Sequence, residues 1–294
     1  MARALAPSDR LALLVVAGFF AFTVVHDPRP CATLVLLLAL AAVLIGLAEW
    51  AARSRVGDLV HTFASPYVAV AVLFELSARV AGAGDAARWD EALAGADARW
   101  FPRLDVAWHD ALGRPAWLTD FAGVAYVSFY VFPLVVGLAF FARRSRRDLD
   151  EFVFATEAAF FVPYVGYLAM PALGPRAIAN LHGAAVAQVA HAFVDTVELN
   201  AHDAFPSGHT AVALVVAALG ARAFPKWGVA LALAAGSIVF STVYLSYHYV
   251  VDVLAGAAVA AAMPVLLPAL RLACCGRAAR NAFAPGAKHA ASVR

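Results

Sequence analysis

The sequence predicts an all-α integral membrane protein with about eight transmembrane helices. Three observations carry this. Of the 294 residues, 63% are hydrophobic and only 14% are charged, against roughly 45–50% and about 25% in soluble domains. Eight runs are long and apolar enough to read as spans. Lysine and arginine then fall unevenly on the two sides that those spans define. The mean hydropathy of +0.77 excludes a disordered chain, which needs low hydrophobicity and high charge. A formal net charge of +2, with no basic stripe, excludes a nucleic-acid binder working through bulk charge.

The first run, Leu11 to Val25, is short and follows Arg3 and Arg10. Val25-His26-Asp27-Pro28 offers no small-residue cleavage site, so the run reads as a retained span rather than a signal peptide. The second is Thr33 to Trp50, the third Leu59 to Val80 and the fourth Trp117 to Phe141. The fifth, Phe152 to Met170, contains Pro163, which predicts a kink. Ser207 to Ala223, Trp227 to Leu245 and Tyr249 to Leu267 complete the set. With both termini cytoplasmic, 15 of the 22 basic residues lie inside, anchored by Arg143-Arg144-Ser145-Arg146-Arg147. Residues 1–58 then hold two additional N-terminal spans, 59–270 a six-helix core, and 271–294 a basic cytoplasmic tail. Between spans three and four, residues 81–116 mix Trp89, Trp100 and Trp108 with Asp90, Glu91, Asp97 and Asp110. That mixture reads either as interfacial amphipathic helices or as a solvated loop with tryptophan anchors. The three cysteines contain no Cys-x-x-Cys pair and imply neither a zinc nor a redox site.

Ionisable residues at span ends mark the candidate site. Arg176 follows span five in Gly174-Pro175-Arg176. Span six opens with Phe205-Pro206-Ser207-Gly208-His209-Thr210, and span eight follows Tyr247-His248 and contains Asp252. The topology brings all three to the outer side. A helix start with Ser207 and Gly208 in its first turn offers unpaired backbone N–H groups, suited to a phosphate. His248 and Asp252, four apart, are expected on one helix face, where the carboxylate orients an imidazole for nucleophilic attack. His202 falls in the loop before span six, and Tyr126 and Tyr130 share helical spacing in span four. These three are candidates for the cavity wall, as is Ser241.

Pro206-Ser207-Gly208-His209 resembles the central motif of the type 2 phosphatidic acid phosphatase superfamily. Ser241, His248 and Asp252 sit at the spacing of that superfamily's last motif, and Arg176 stands where its first motif keeps an arginine. The resemblance covers roughly Leu59 to Leu267 and implies a six-helix phosphatase-like core. It departs at three positions: Ala169 replaces a lysine, Ala177 a proline and Thr242 an arginine. Tyr244 to Gly256, with Pro171 to Arg176, is more similar to the branch of fungal inositol phosphorylceramide synthases and their bacterial relatives. The resemblance implies a metal-independent, cofactor-free lipid phosphatase of a bacterial inner membrane, with its site facing away from the cytoplasm. His248 would be the nucleophile, Asp252 its partner and His209 the acid and base; Arg176, Ser207 and Gly208 would hold phosphate. It equally admits a phosphotransferase that moves a phospho-headgroup to a ceramide or diacylglycerol hydroxyl. A transporter with a His/Asp proton relay is the remote alternative; it lacks support because no internal repeat is present. A metal site on His202, His209, His248 and Asp252 lacks a His-x-x-x-His helix pair.

Overall fold

The computed structural model describes residues 5–27, 29–81, 86–102, 111–113, 115–175, 184–198 and 202–276. These form α1 (Pro7–His26), α2 (Cys31–Ala51), α3 (Arg55–Ala81), α4 (Ala86–Trp100), α5 (Ala116–Ser128), α6 (Phe132–Ala142), α7 (Arg146–Ala169), α8 (Ala185–Val197), α9 (Gly208–Ala223), α10 (Gly228–Tyr244) and α11 (Val250–Cys275). The protein is all-helical among the described residues, apart from one isolated parallel bridge between Ala172 and Asp203.

Among the described residues, six helices are long and apolar enough to cross a membrane: α1, α2, α3, α7, α10 with its leading turn from Pro225, and α11. The expected fourth span is instead two helices, α5 and α6, bent by 53° at a short break. Pro133 near the start of α6 has no N–H to continue the ladder from α5. The expected sixth span, α9, is a helix of 16 residues, and its terminus falls one residue later than the motif suggested. α7 runs on through Pro163 without interruption. α11 continues to Cys275, past the expected end at Leu267, so residues 271–275 belong to it rather than to the tail. The tail from residue 277 lies outside the described residues.

Large side chains including Val25, Val229, Leu233 and Val265 are exposed on the outside of the bundle. An apolar exterior of this kind suits lipid and not water, and with the six spans it makes this a multi-pass membrane protein. α9 is the hub and packs against α6, α7, α10 and α11. Its small residues let those neighbours close in, and His209 to Ala213, Val215 and Val216 are all buried. α1 is no loose appendage: it packs on α2, α3, α7 and α11. Leu11, Val16 and Phe19 join the main core, and buried Asp9 accepts from His61 Nε2 of α3 at 2.8 Å.

Of the segment 81–116, α4 is an amphipathic helix that packs on α11. Its buried Leu93 meets Ala172, Ala204 and Val251, with Trp89, Phe101 and Tyr249 around them, in a small second core. Trp108 and Asp110 lie outside the described residues.

Candidate functional site

Three chain segments meet at one end of the bundle. Ala204 N–H donates to the Ala172 carbonyl at 3.1 Å, which joins the end of the span-five loop to the segment before α9. Ser207 N–H donates to the Asp252 carbonyl at 3.0 Å, which joins that segment to α11. The helix starts are thus held to one another by backbone bonds, whose loss in a buried setting is costly.

His248 sits before the helix and not on it. α11 starts at Val250 with Tyr249 as its N-cap, so the expected shared helix face is replaced by a cap geometry. Asp252, at the third helical position, turns back and accepts from Tyr249 N–H at 2.8 Å. The same Oδ2 lies 3.5 Å from His248 Nδ1. A closer partner exists: His248 Nδ1 is 2.9 Å from the Ala204 carbonyl oxygen. A carbonyl can only accept, so the proton of the neutral ring sits on Nδ1 and the lone pair on Nε2. Both side chains are buried, Asp252 completely. Asp252 Oδ1 is buried without a hydrogen-bond partner among the described residues.

Ser207 is the N-cap of α9. Its Oγ accepts from Thr210 N–H at 3.3 Å and from Thr210 Oγ1 at 3.1 Å, which leaves its own hydroxyl proton to donate. Gly208 opens the helix where nothing larger fits: a Cβ there would lie 2.5 Å from Tyr167 Oη.

His209 follows, buried in an aromatic collar. Its ring centroid is 4.1 Å from that of Phe129 and 4.5 Å from that of Tyr126. Tyr126 in turn stacks on Tyr247 at 4.3 Å. The His209 and His248 rings are 5.8 Å apart at 64°. His209 Nε2 makes no hydrogen bond among the described residues, but it lies 3.7 Å from Glu198 Oε1. Glu198 ends α8 as its C-cap and accepts from the Tyr130 hydroxyl. α8 is set by its packing on α5 and by Asp120, which accepts from Ala187 N–H at 2.9 Å. Sequence reading missed Glu198: nothing in its local pattern distinguishes it from any acid at a helix end.

Arg176 lies outside the described residues, as does the loop around it. Tyr130 lines the cavity that opens on His209, whereas Tyr126 does not line it and packs between the His209 and Tyr247 rings. Ser241 does not line the cavity; it is fully buried and its hydroxyl donates to Ile238 O of its own helix at 2.7 Å. Thr242 likewise donates to Val239 O at 2.8 Å. Its carbonyl accepts from Tyr247 N–H and His248 N–H, which shapes the turn that carries His248. His202 is half-buried beside Asp203 and is not part of the cavity wall. His191, given no role from sequence, bonds Tyr247 Oη through Nδ1 at 2.6 Å. Among the described residues no group of three His, Cys, Asp or Glu side chains is gathered as a metal ion requires.

A cavity of ≈ 230 Å³ opens on His209. It runs between α3, α7 and the α5–α6 break, past Phe74, Val70, Phe160 and Leu134, and its walls are mainly apolar, with Glu75 and Glu157 among them. At the His209 end it is bounded by Gly208, Tyr167, Tyr130, Glu198 and Asp203.

The family model of the PAP2 superfamily matches residues 91–266. The chain belongs to the PAP2 superfamily. The match takes in α5 to α11 up to Leu266, with every motif segment above, and leaves α1, α2 and α3 outside it. A curated relative from Dictyostelium discoideum, a PA-phosphatase related-family protein, is 28% identical over 116 residues. That stretch is 36% of this chain and 21% of the relative, so the chain spans about a fifth of that protein's length. No solved structure matches the chain.

Proposed function

We propose that the protein is a membrane lipid phosphoesterase that hydrolyses lipid phosphates through a phosphohistidine. The observation that carries this is the position of His209, which faces His248 across 5.8 Å on one side and closes a mainly apolar cavity on the other. A lipid whose tail fills that cavity brings its phosphoester to the two histidines. A water-soluble phosphate ester would leave the cavity's apolar walls unused.

His248 Nε2 carries the lone pair and attacks phosphorus. The bond from phosphorus to the lipid oxygen breaks, and His209 passes a proton to that oxygen, releasing a lipid alcohol. Asp252 steadies the positive ring of the phosphohistidine. In the second step water attacks phosphorus, gives its proton to His209, and the N–P bond breaks. Arg176, the Ser207 hydroxyl and the backbone N–H groups that open α9 hold the equatorial oxygens, the electrostatic work on which phosphoryl transfer depends. No step calls for a metal. The basic residues of the loops, 15 of 22 on one side, support a site facing away from the cytoplasm, with eight spans if α5–α6 and α9 each cross.

One observation favours a second reading. Ala169 and Thr242 stand where two basic residues would face a phosphate dianion, and the Thr242 hydroxyl is committed to its own helix. A phosphodiester headgroup carries less charge and needs fewer cations, which suits transfer to the hydroxyl of a ceramide or diacylglycerol.

The test is trapping. Purified protein in a bilayer is given phosphatidic acid labelled at phosphorus, and the reaction is quenched in alkali because phosphohistidine is acid-labile. Label on the wild-type protein, absent from His248→Ala, together with free phosphate, is the expected result. Label that persists in His248→Ala refutes the nucleophile. Label that yields no free phosphate but moves onto an added ceramide or diacylglycerol replaces hydrolysis with transfer.

A further inference from the structure

We propose that α4 is a clasp that positions the site, and that Asp90 and Asp97 are its two positioning residues. They lie seven residues apart, about two turns, and therefore on one face of the helix. Asp97 accepts from Val250 N–H through Oδ2 and from Val251 N–H through Oδ1, both at 2.8 Å. These are the first N–H groups of α11, which have no partner within their own helix. A carboxylate there also suits the positive end of the helix dipole. With Tyr249 N–H bound by Asp252, three successive amides after His248 are held by two carboxylates.

Asp90 does the same for the other strand of the site. Its Oδ1 accepts from Gly174 N–H at 2.9 Å and its Oδ2 from Leu173 N–H at 3.0 Å. Gly174 has φ +81, and a Cβ there would lie 2.5 Å from the Tyr247 carbonyl. The loop that leads to Arg176 is thus pressed against the residue before His248. Between the two acids Leu93 packs on Ala172, Ala204 and Val251, one residue from each motif segment. α4 therefore sets the distance between the turn at His248 and the Leu173–Gly174 segment, although none of its described side chains lines the cavity.

The inference rests on the reading of His248 and Arg176 given above, and its test separates the two. In the full-length protein in bilayers, Asp97→Asn loosens the start of α11 and should lower kcat about tenfold with KM within about twofold. Asp90→Asn loosens the arginine loop and should raise KM about tenfold with kcat within about threefold. Asp97→Glu retains the charge and should recover most of the lost kcat. Hydrogen exchange should speed at Val250 and Val251 in the first variant and at Leu173 and Gly174 in the second, each without the other. Variants that match wild type in kinetics and in exchange overturn the clasp. So does a loss of kcat in Asp97→Asn that vanishes once rates are divided by the folded fraction of the protein. If the wild type releases no phosphate from any lipid phosphate, the functional reading fails, and exchange at the four amides still decides whether α4 holds the two segments.

Discussion

The Ala204 carbonyl oxygen lies 2.9 Å from His248 Nδ1, closer than the Asp252 carboxylate at 3.5 Å. A backbone carbonyl cannot be removed by mutation or by titration, so the tautomer that exposes Nε2 is built into the fold. In the proposed mechanism Asp252 then has a different task, which is to balance the charge that appears on the ring after attack. Asp252→Asn should keep the fold, because the amide oxygen can still accept from Tyr249 N–H. Its kcat should fall about 10²-fold, short of the roughly 10⁴-fold loss seen where a carboxylate alone fixes the tautomer. Steady-state phosphate release measures this; a loss as large as that of His248→Ala would return the tautomer to Asp252.

Gly208 is held to hydrogen at Cα by Tyr167. In Gly208→Ala the new methyl would lie 2.5 Å from Tyr167 Oη, and overpacking of this kind costs roughly 1–3 kcal/mol. Adding Tyr167→Phe removes the clashing oxygen. The double variant should recover more than half of the stability and activity that Gly208→Ala loses, read by thermal unfolding in detergent and by phosphate release. No recovery would place the need for glycine in the phosphate contact rather than in the packing.

The parts of the site that follow from local chemistry were legible in the sequence. Ser207 and Gly208 announce a capped helix start, and the structure has one at that place. The pairing of His248 with Asp252 was readable for a reason that proved incomplete: the residues are four apart, but they meet through the turn-back of an N-cap rather than along a helix face. The break between α5 and α6 left only Pro133 as a signal within an apolar run. Glu198, Asp90 and Asp97 were invisible as site residues. Each is an acid on an ordinary helix, and its meaning comes from a partner 11 to 154 residues away. Ser241 was misleading because spacing does not say whether a hydroxyl faces a cavity or its own helix carbonyl.

The two histidines must hold opposite protonation states at the start of the reaction. His248 has to be neutral to attack, so activity is lost on the acid side. His209 has to carry a proton to release the lipid alcohol, so activity is lost on the alkaline side. The profile of kcat/KM should be bell-shaped. His209→Gln should retain a residual rate whose alkaline limb has disappeared, and chelators should leave the wild-type profile unchanged. An alkaline limb that survives in His209→Gln belongs to another group.

Glu198 stands to His209 as Asp252 stands to His248. At 3.7 Å from Nε2, its carboxylate is placed to accept from the protonated ring and to set its angle against the Tyr126 and Phe129 faces. Glu198→Gln keeps an acceptor for the Tyr130 hydroxyl and removes the charge. Its kcat should fall about tenfold or more while KM stays within about twofold, because the lost interaction acts on the proton donor and not on the bound lipid. A leaving group that needs no protonation, such as p-nitrophenol, should be released by the variant at close to the wild-type rate. Equal losses on both leaving groups would make Glu198 a structural partner of Tyr130 instead.

The apolar cavity makes a separate claim, that the tail of the substrate contributes binding while the histidines perform the chemistry. Val70 lines the cavity midway along α3, and its carbonyl is held by the Tyr164 hydroxyl at 3.0 Å. Val70→Trp adds a ring to a space of ≈ 230 Å³ without touching either histidine or the segments around them. A long-chain lipid phosphate then loses the contacts that buried its tail, each methylene being worth about 0.8 kcal/mol. Displacing as few as two of them should raise KM about tenfold or more. A short-chain, water-soluble phosphate ester never filled the slot, so its kcat/KM should be unchanged. The ratio of the two specificities in wild type and variant, measured in the same detergent, isolates the cavity from the chemistry. A parallel fall on both substrates would mean that the ring had disturbed His209, and wild-type values on both would mean that the tail lies elsewhere, against the outer face of the bundle.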